Sequence, residues 1–414
     1  MSDVDFGKAP WTVAALAAVA LGLTGCAPDG PDPAPQASES EAPDVYAGDA
    51  LPDLALEEVP LVGDPVYAEA ERSAVHGIVA GRVLATRPGD LNVIMLDAYD
   101  ATTGELAWDI TTGEAAQLVL DTGFGSGRLE FAAGTVQRGG SGYAAPLFSN
   151  GNETTPYRSG LVMIDASEGT VAWATELTLH LGDDVDGISV HTDVVDATSE
   201  VVIANIEAQS VDGTPVSMGV VVDAASGEVR WVERGVVLSS IAGDVVTAIR
   251  TEEPRDDEGS LVGLDVVSGE QAWEAGAAGE WIGATGALAA AWTPEAALFD
   301  TASGEPVDAG AILSAPVVAD DIAAWLDPDE RAVVTYAAGD ERPWPGGTEV
   351  VADDVTAIDA AGYLWVASDA RVTALDRTGT ARSEPLAGAF AGADDGAVVT
   401  VEDSGAVHLW RTTD

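Results

Sequence analysis

The stretch Asp223-Ala-Ala-Ser-Gly227-Glu228-Val-Arg-Trp231 decides the fold, because it recurs. Asp100-Ala-Thr-Thr-Gly104-Glu105-Leu-Ala-Trp108 and Asp265-Val-Val-Ser-Gly269-Glu270-Gln-Ala-Trp273 repeat it. Asp165-Ala-Ser-Glu-Gly169-Thr170-Val-Ala-Trp173 repeats it with Thr in the Glu slot. A fixed motif returning every few dozen residues marks a repeat architecture and outranks local propensity. Each copy follows a short apolar run, at 92–96, 161–164, 219–222 and 261–264, of the kind that forms a buried strand. The small residues between Asp and Gly suit a tight hairpin, and Gly supplies the positive φ such a turn needs. The four Trp residues, spread over successive repeats and not converging on one point, read as packing between repeats.

The motif then decays. Asp300-Thr-Ala-Ser-Gly304-Glu305 keeps the turn but has Asp308 where Trp is expected. Thr335-Tyr-Ala-Ala-Gly339 loses the Asp, and Trp344 arrives one residue late. Asp376-Arg-Thr-Gly379 is one residue shorter and carries Ser383 in the Trp slot, and a last partial copy ends at Trp410. Taking the Asp slots as 100, 165, 223, 265, 300, 335, 376 and 410 gives eight units, 34 to 65 residues apart, each long enough for a four-stranded blade. The last unit lacks its outer strand, and the apolar segment 54–62 is the candidate to supply it, leaving no long open edge. The reading is therefore all-β: an eight-bladed β-propeller over 54–414, with seven blades as the alternative.

The 70 acidic and 17 basic residues leave a net charge of −53, and Lys8 is the only Lys. Such an acidic surface repels nucleic acid and anionic headgroups, which excludes DNA and RNA as partners. Residues 11–23 form an apolar stretch too short to span a bilayer but right for a signal-peptide core. It runs into Leu23-Thr24-Gly25-Cys26, which resembles the lipobox of bacterial lipoproteins, and Cys26 is the only Cys in the chain. The resemblance implies a signal peptide over 1–25, acylation of Cys26, and a place on the extracytoplasmic side of a cell membrane. Asp3 and Asp5 outnumber Lys8 before the apolar stretch, a departure from the positive start of such signals. Residues 26–53, rich in Pro, Ala and acids, read as a self-repelling tether.

The repeated Leu-Asp-Ala-x-x-Gly-Glu-x-x-Trp resembles the repeat of the PQQ-like (quinoprotein alcohol dehydrogenase-like) β-propellers. In that superfamily the Trp residues interlock neighbouring blades, which the resemblance extends to Trp108, Trp173, Trp231 and Trp273. Its members include quinoprotein dehydrogenases and non-catalytic lipoproteins similar to the outer-membrane assembly factor B type. The enzymes carry adjacent cysteines above the quinone and a Glu, Asn and Asp around Ca²⁺, and neither pattern is present here. The lipoprotein branch fits the lipobox, tether and length, so the expectation is a non-enzymatic protein with no cofactor. A small oxidoreductase using PQQ and Ca²⁺ is the alternative.

No metal site is expected. His76, His180, His191 and His408 lack ligand spacing, and the loop starting at Asp184 has Ser189 and Val195 where a calcium loop needs Gly and Glu. Asp320-Asp321, Asp353-Asp354 and Asp394-Asp395 read as turn residues at matching places in successive repeats. The extra length lies at 139–157, 209–215, 251–259 and 179–187, read as long connections emerging on one face of the disc. Long loops on rigid scaffolds carry function. Tyr143, Phe148 and Tyr157 are the aromatic anchors expected to meet an envelope protein or ligand there.

Overall fold

The computed structural model describes residues 50–62, 74–88, 94–110, 129–131, 134–149, 158–182, 184–251, 259–293, 295–327, 329, 331–340, 343–345 and 352–413. Among them the only helical element is a single 3-10 turn, Thr178–His180, and all other regular structure is strand. Cys26, the apolar stretch and nearly all of the tether lie outside the described residues.

Four consecutive antiparallel strands make one unit, as in Val185–Ala197, Val201–Ser210, Pro215–Asp223 and Val229–Arg234. Other units follow the same order along the chain. One strand, Gln271–Thr285, serves two of them. Its first half pairs with Gly259–Asp265 as an outer strand, and its second half pairs with Leu288–Trp292 as the inner strand of the next unit. The chain's two ends meet in one sheet. Leu56–Val59, within the apolar segment 54–62, pairs antiparallel with Val407–Thr412 and supplies that sheet's outer strand. Ile78, Val83 and Tyr99 of the first unit share a core with Ala397, Val399 and Leu409 of the last. Contact between first and last units closes the array into a ring of four-stranded blades, a β-propeller, and removes the open edges that would otherwise pair with other chains.

The hairpin between third and outer strands follows from its residues. Asp223 Oδ1 accepts the backbone N–H groups of Ala225 and Ser226 and the Ser226 hydroxyl, while Gly227 takes a φ of 75°. Asp165, Asp265 and Asp300 make similar turns with Ser167, Ser268 and Ser303. These donors stabilise the ionised carboxylate. Arg230, ahead of the Ser226 bonds, holds Asp223 down to about 2 against the opposing effect of its partial burial.

The hairpin glycine then receives a tryptophan. Trp173 donates its indole N–H to Ala224 O at 2.7 Å and lies so close to Gly227 that a Cβ there would come within 2.7 Å of the ring. Trp108 sits in the same way on Ala166 and Gly169, Trp231 on Val266 and Gly269, and Trp273 on Thr301 and Gly304. Each unit thereby reaches into the turn of the next. Where Asp308 replaces Trp, the following Gly339 has nothing within 4 Å of its missing side chain. At the ring closure, Gly104 lies against Pro60 O instead, and Val62 N bonds to Gly104 O at 2.9 Å.

Strand register corrects the reading of the decayed repeats. In intact copies the motif Asp faces the first residue of the second strand, as Asp223 faces Val201 and Asp265 faces Val245. By that rule Ala337, Leu375 and Arg411 occupy the slots read at 335, 376 and 410. At Ala337 and Arg411 no Asp marks the slot, so nothing local fixed the alignment; Asp376, next to Leu375, still makes the motif turn, its Oδ1 accepting Thr378 N and its carbonyl accepting Gly379 N.

Candidate interaction face

Third-to-outer hairpins and first-to-second turns emerge on one face of the ring; second-to-third and outer-to-inner connections emerge on the other. The two long kinds of connection touch. The backbone N–H of Val211, in the second-to-third turn after Ser210, donates to Asp184 O in the connection that enters the same unit. Asp184 in turn holds both terminal nitrogens of Arg234, at 2.6 and 2.7 Å, and Arg234 also donates to Leu181 O. Arg234 keeps Asp184 below the usual carboxylate range. Ser210 and Thr214 hold Asp212, at the tip of the turn, down to about 2. This corner is thus pinned by charge-assisted bonds and presents its apolar residues on a fixed frame.

Those apolar residues are large and exposed. Leu179 and Val211 leave 76% and 74% of their surface in solvent, and Leu313 and Trp292 leave 52% and 41%. Leu179 and Leu313 lie in outer-to-inner connections, and Val211 and Trp292 at second-to-third turns, so all four belong to the long-connection face. Val62, Leu106 and Val267 are the exposed apolar residues of the hairpin face, lying next to the turns described above. Sequence reasoning missed the first four, because a single apolar residue in or beside a polar turn carries no pattern.

The aromatic anchors fall elsewhere. Gly142–Ser149 is a strand, the second of its unit, and not a loop. Tyr143 is only 1% exposed, and its ring lies 5.0 Å from that of His76. Its hydroxyl accepts the N–H of Gly134 at 2.7 Å, and burial raises its pKa. Burial likewise lowers His76 to about 4, and its Nε2 lies 3.0 Å from the Thr86 hydroxyl. Tyr143 is therefore a core residue and cannot anchor a partner. Phe148 is half-buried near the end of the strand that leads to the long-connection face, and Tyr157 lies outside the described residues.

The misreading has a physical cause. Gly139, Gly140 and Pro146 look like strand breakers. Pro146 is tolerated because the inner strand beside it is split, pairing at Phe131↔Leu147 and again at Thr135↔Ala144, so no ladder donor is needed at the break. Of the other insertions, Gln209 and Ser210 extend a strand around the short turn 211–214, and 252–258 lies outside the described residues.

At the hairpin face the turns surround the mouth of the ring, where a cavity of about 440 Å³ is lined in part by Ile78, Arg138, Thr285, Asp320, Asp359 and Asp394. Arg138 locks this end. It donates to Asp196 at 2.5 Å and to Ile241 O at 2.8 Å, while Asp196 accepts Ile241 N at 2.9 Å, so two side chains and the Ile241 backbone join three successive units. Asp394 is raised by partial burial and by neighbouring Asp395. Asp320 and Asp395 occupy left-handed turn positions, with φ of 51° and 44°. Asp353-Asp354 departs from the expected placement: it stands at the entrance of the inner strand Asp354–Ile358, where Asp353 pairs with Arg331.

A quinone cofactor of the kind the repeat resemblance suggests would need a cation held beside it by clustered side chains. Among the described residues no three His, Cys, Asp or Glu side chains converge in a manner that could hold a metal ion. No helix among the described residues is long and apolar enough to cross a membrane.

No protein family profile matches the sequence, and no curated protein is similar to it. By structure the chain is similar to a europium-containing methanol dehydrogenase, at 11% identity and a TM-score of 0.35, over 86% of this chain and 84% of that one. It is similar to the rhamnogalacturonan lyase YesW at 12% identity and a TM-score of 0.39, over 86% and 76%. The quinohemoprotein alcohol dehydrogenase of Comamonas testosteroni matches at 13% identity and a TM-score of 0.30, over 80% and 65%. None of these brings an activity, a cofactor or a partner to this chain.

Proposed function

We propose that this protein is an eight-bladed, lipid-anchored propeller that binds a protein of the cell envelope through its long-connection face and does no chemistry of its own. Counting the shared strand Gln271–Thr285 as two supports the eight blades. The Leu-Thr-Gly-Cys26 sequence supports an acylated N-terminus on the extracytoplasmic side, with residues 27–53 as the tether. The observation that carries the binding role is the set Leu179, Val211, Trp292 and Leu313. These are large apolar side chains exposed on the same face of the ring, and a protein partner seated there would cover them. Phe148, half-buried at the end of the second strand of its unit, borders the same surface.

The test replaces Leu179, Val211, Trp292 and Leu313 together by Ser in the full-length protein and follows co-purification of its membrane partners. Loss of a partner that a Val267→Ser control retains supports the assigned face. An unchanged partner set in the fourfold variant overturns it.

A further inference from the structure

Ten of the twelve described arginines lie within ion-pair distance of a carboxylate, as a chain with 70 acids and 17 bases would dictate. An eleventh, Arg411, donates to Ala101 O and the Thr102 hydroxyl. Arg371 alone among the described arginines makes no ion pair or hydrogen bond through its guanidinium. It opens the strand Arg371–Leu375 directly after a two-residue turn, Asp369 and Ala370, whose φ values of 50° and 59° are both left-handed. Such turns normally use Gly or Asn at the second position, and an Ala costs on the order of 1 kcal/mol there. The strained turn sets Arg371 at a cavity of about 280 Å³ between this unit and the next.

The cavity's other walls are Gly388 and the turn Glu402-Asp403-Ser404. A Cβ on Gly388 would approach the Val401 carbonyl to 2.8 Å, so the wall is closely packed. Glu402 accepts the Ser404 hydroxyl at 3.1 Å and lies 3.3 Å from His408 Nε2, which fixes its carboxylate. Asp403 accepts no hydrogen bond from any described residue. The cavity therefore holds a free guanidinium together with a free and a fixed carboxylate. These elements are second-to-third and outer-to-inner connections, so the cavity opens on the long-connection face.

We propose that this cavity binds a small zwitterion bearing an α-ammonium and a carboxylate, that is, a free amino acid. The guanidinium fork is complementary to a carboxylate. Glu402 and Asp403 repel a ligand that is only an anion and attract its ammonium group. The volume limits the occupant to a small molecule. The cavity lies on the same face as the protein docking proposed above but shares none of its four residues, and its test needs no partner.

Calorimetric titration of the full-length protein in detergent with glycine, alanine, glutamate and lysine, each against acetate and methylammonium controls, reads the site directly. Saturable binding of at least one amino acid, no binding of either single-charge control, and at least a tenfold loss in both R371Q and D403N support the proposal. Absence of binding by all four amino acids overturns it, as does binding that R371Q leaves unchanged or acetate that binds as well as glycine.

Discussion

Trp173 closes over Gly227 of the following unit while its indole N–H bonds to Ala224 O, so one side chain fixes both the distance and the orientation of two neighbouring blades. The pair works only with a glycine: a Cβ at 227 would come within 2.7 Å of the ring, at a φ of 75°. Four such contacts recur along the chain, each joining one unit to the turn of the next.

The first prediction concerns Gly227→Ala. Overpacking against Trp173 should cost about 1–3 kcal/mol, and the left-handed backbone adds roughly 1 kcal/mol. Gly243→Ala, at a φ of 59° with nothing within 4 Å, carries only the backbone cost. Urea unfolding of both variants should show G227A distinctly weaker; equal losses would remove the docking explanation.

The closing strand gives the second. Deleting Leu56–Val59 leaves Val407–Thr412 without its outer neighbour. Amide hydrogen exchange should speed up across 407–412 and in the packed first unit at Ile78 and Val83, with a lower melting temperature. Exchange confined to the new N-terminus would contradict closure through this strand.

The repeat and its closure were legible in sequence because their signals are local: Asp, Gly and Trp within nine residues, and an apolar segment of the right length. The decayed copies were misaligned by one or two residues at Ala337 and Arg411, where no Asp marks the slot and only register decides, whereas Asp376 makes the motif turn one residue past the slot that register assigns to Leu375. Tyr143 was misplaced because its burial depends on His76 and Gly134, neither of which announces the contact in sequence. Leu179, Val211, Trp292 and Leu313 became visible only when topology assigned the connections to faces.

Acid stability supplies the third prediction. Asp223 titrates near 2 in the folded protein, below the ordinary carboxylate value, because Arg230 and the turn donors hold it ionised. Its folded pKa is depressed, so its contribution is fully present above the unfolded value of about 3.9 and is lost as pH falls toward 2. Asp223→Asn should therefore melt lower than wild type at pH 6 and converge with it near pH 2. A constant difference across that window would show that the charge is not what matters.

The fourth concerns the lock at the ring mouth. Asp196→Ala strands Arg138 and leaves Ile241 N without its acceptor. The loss should be about 1–3 kcal/mol, with faster exchange at Ile241. Unaltered exchange there would mean water replaces the carboxylate fully.

The binding role is tested most directly by photocrosslinking in intact membranes, with a photoreactive residue placed singly at Leu179, Val211, Trp292 or Leu313, and at Leu106 or Val267 on the opposite face. Discrete adducts with one protein partner from the first four positions, and none from the last two, are the predicted result. Adducts that form equally from both faces, or from Leu106 and Val267 alone, would contradict it.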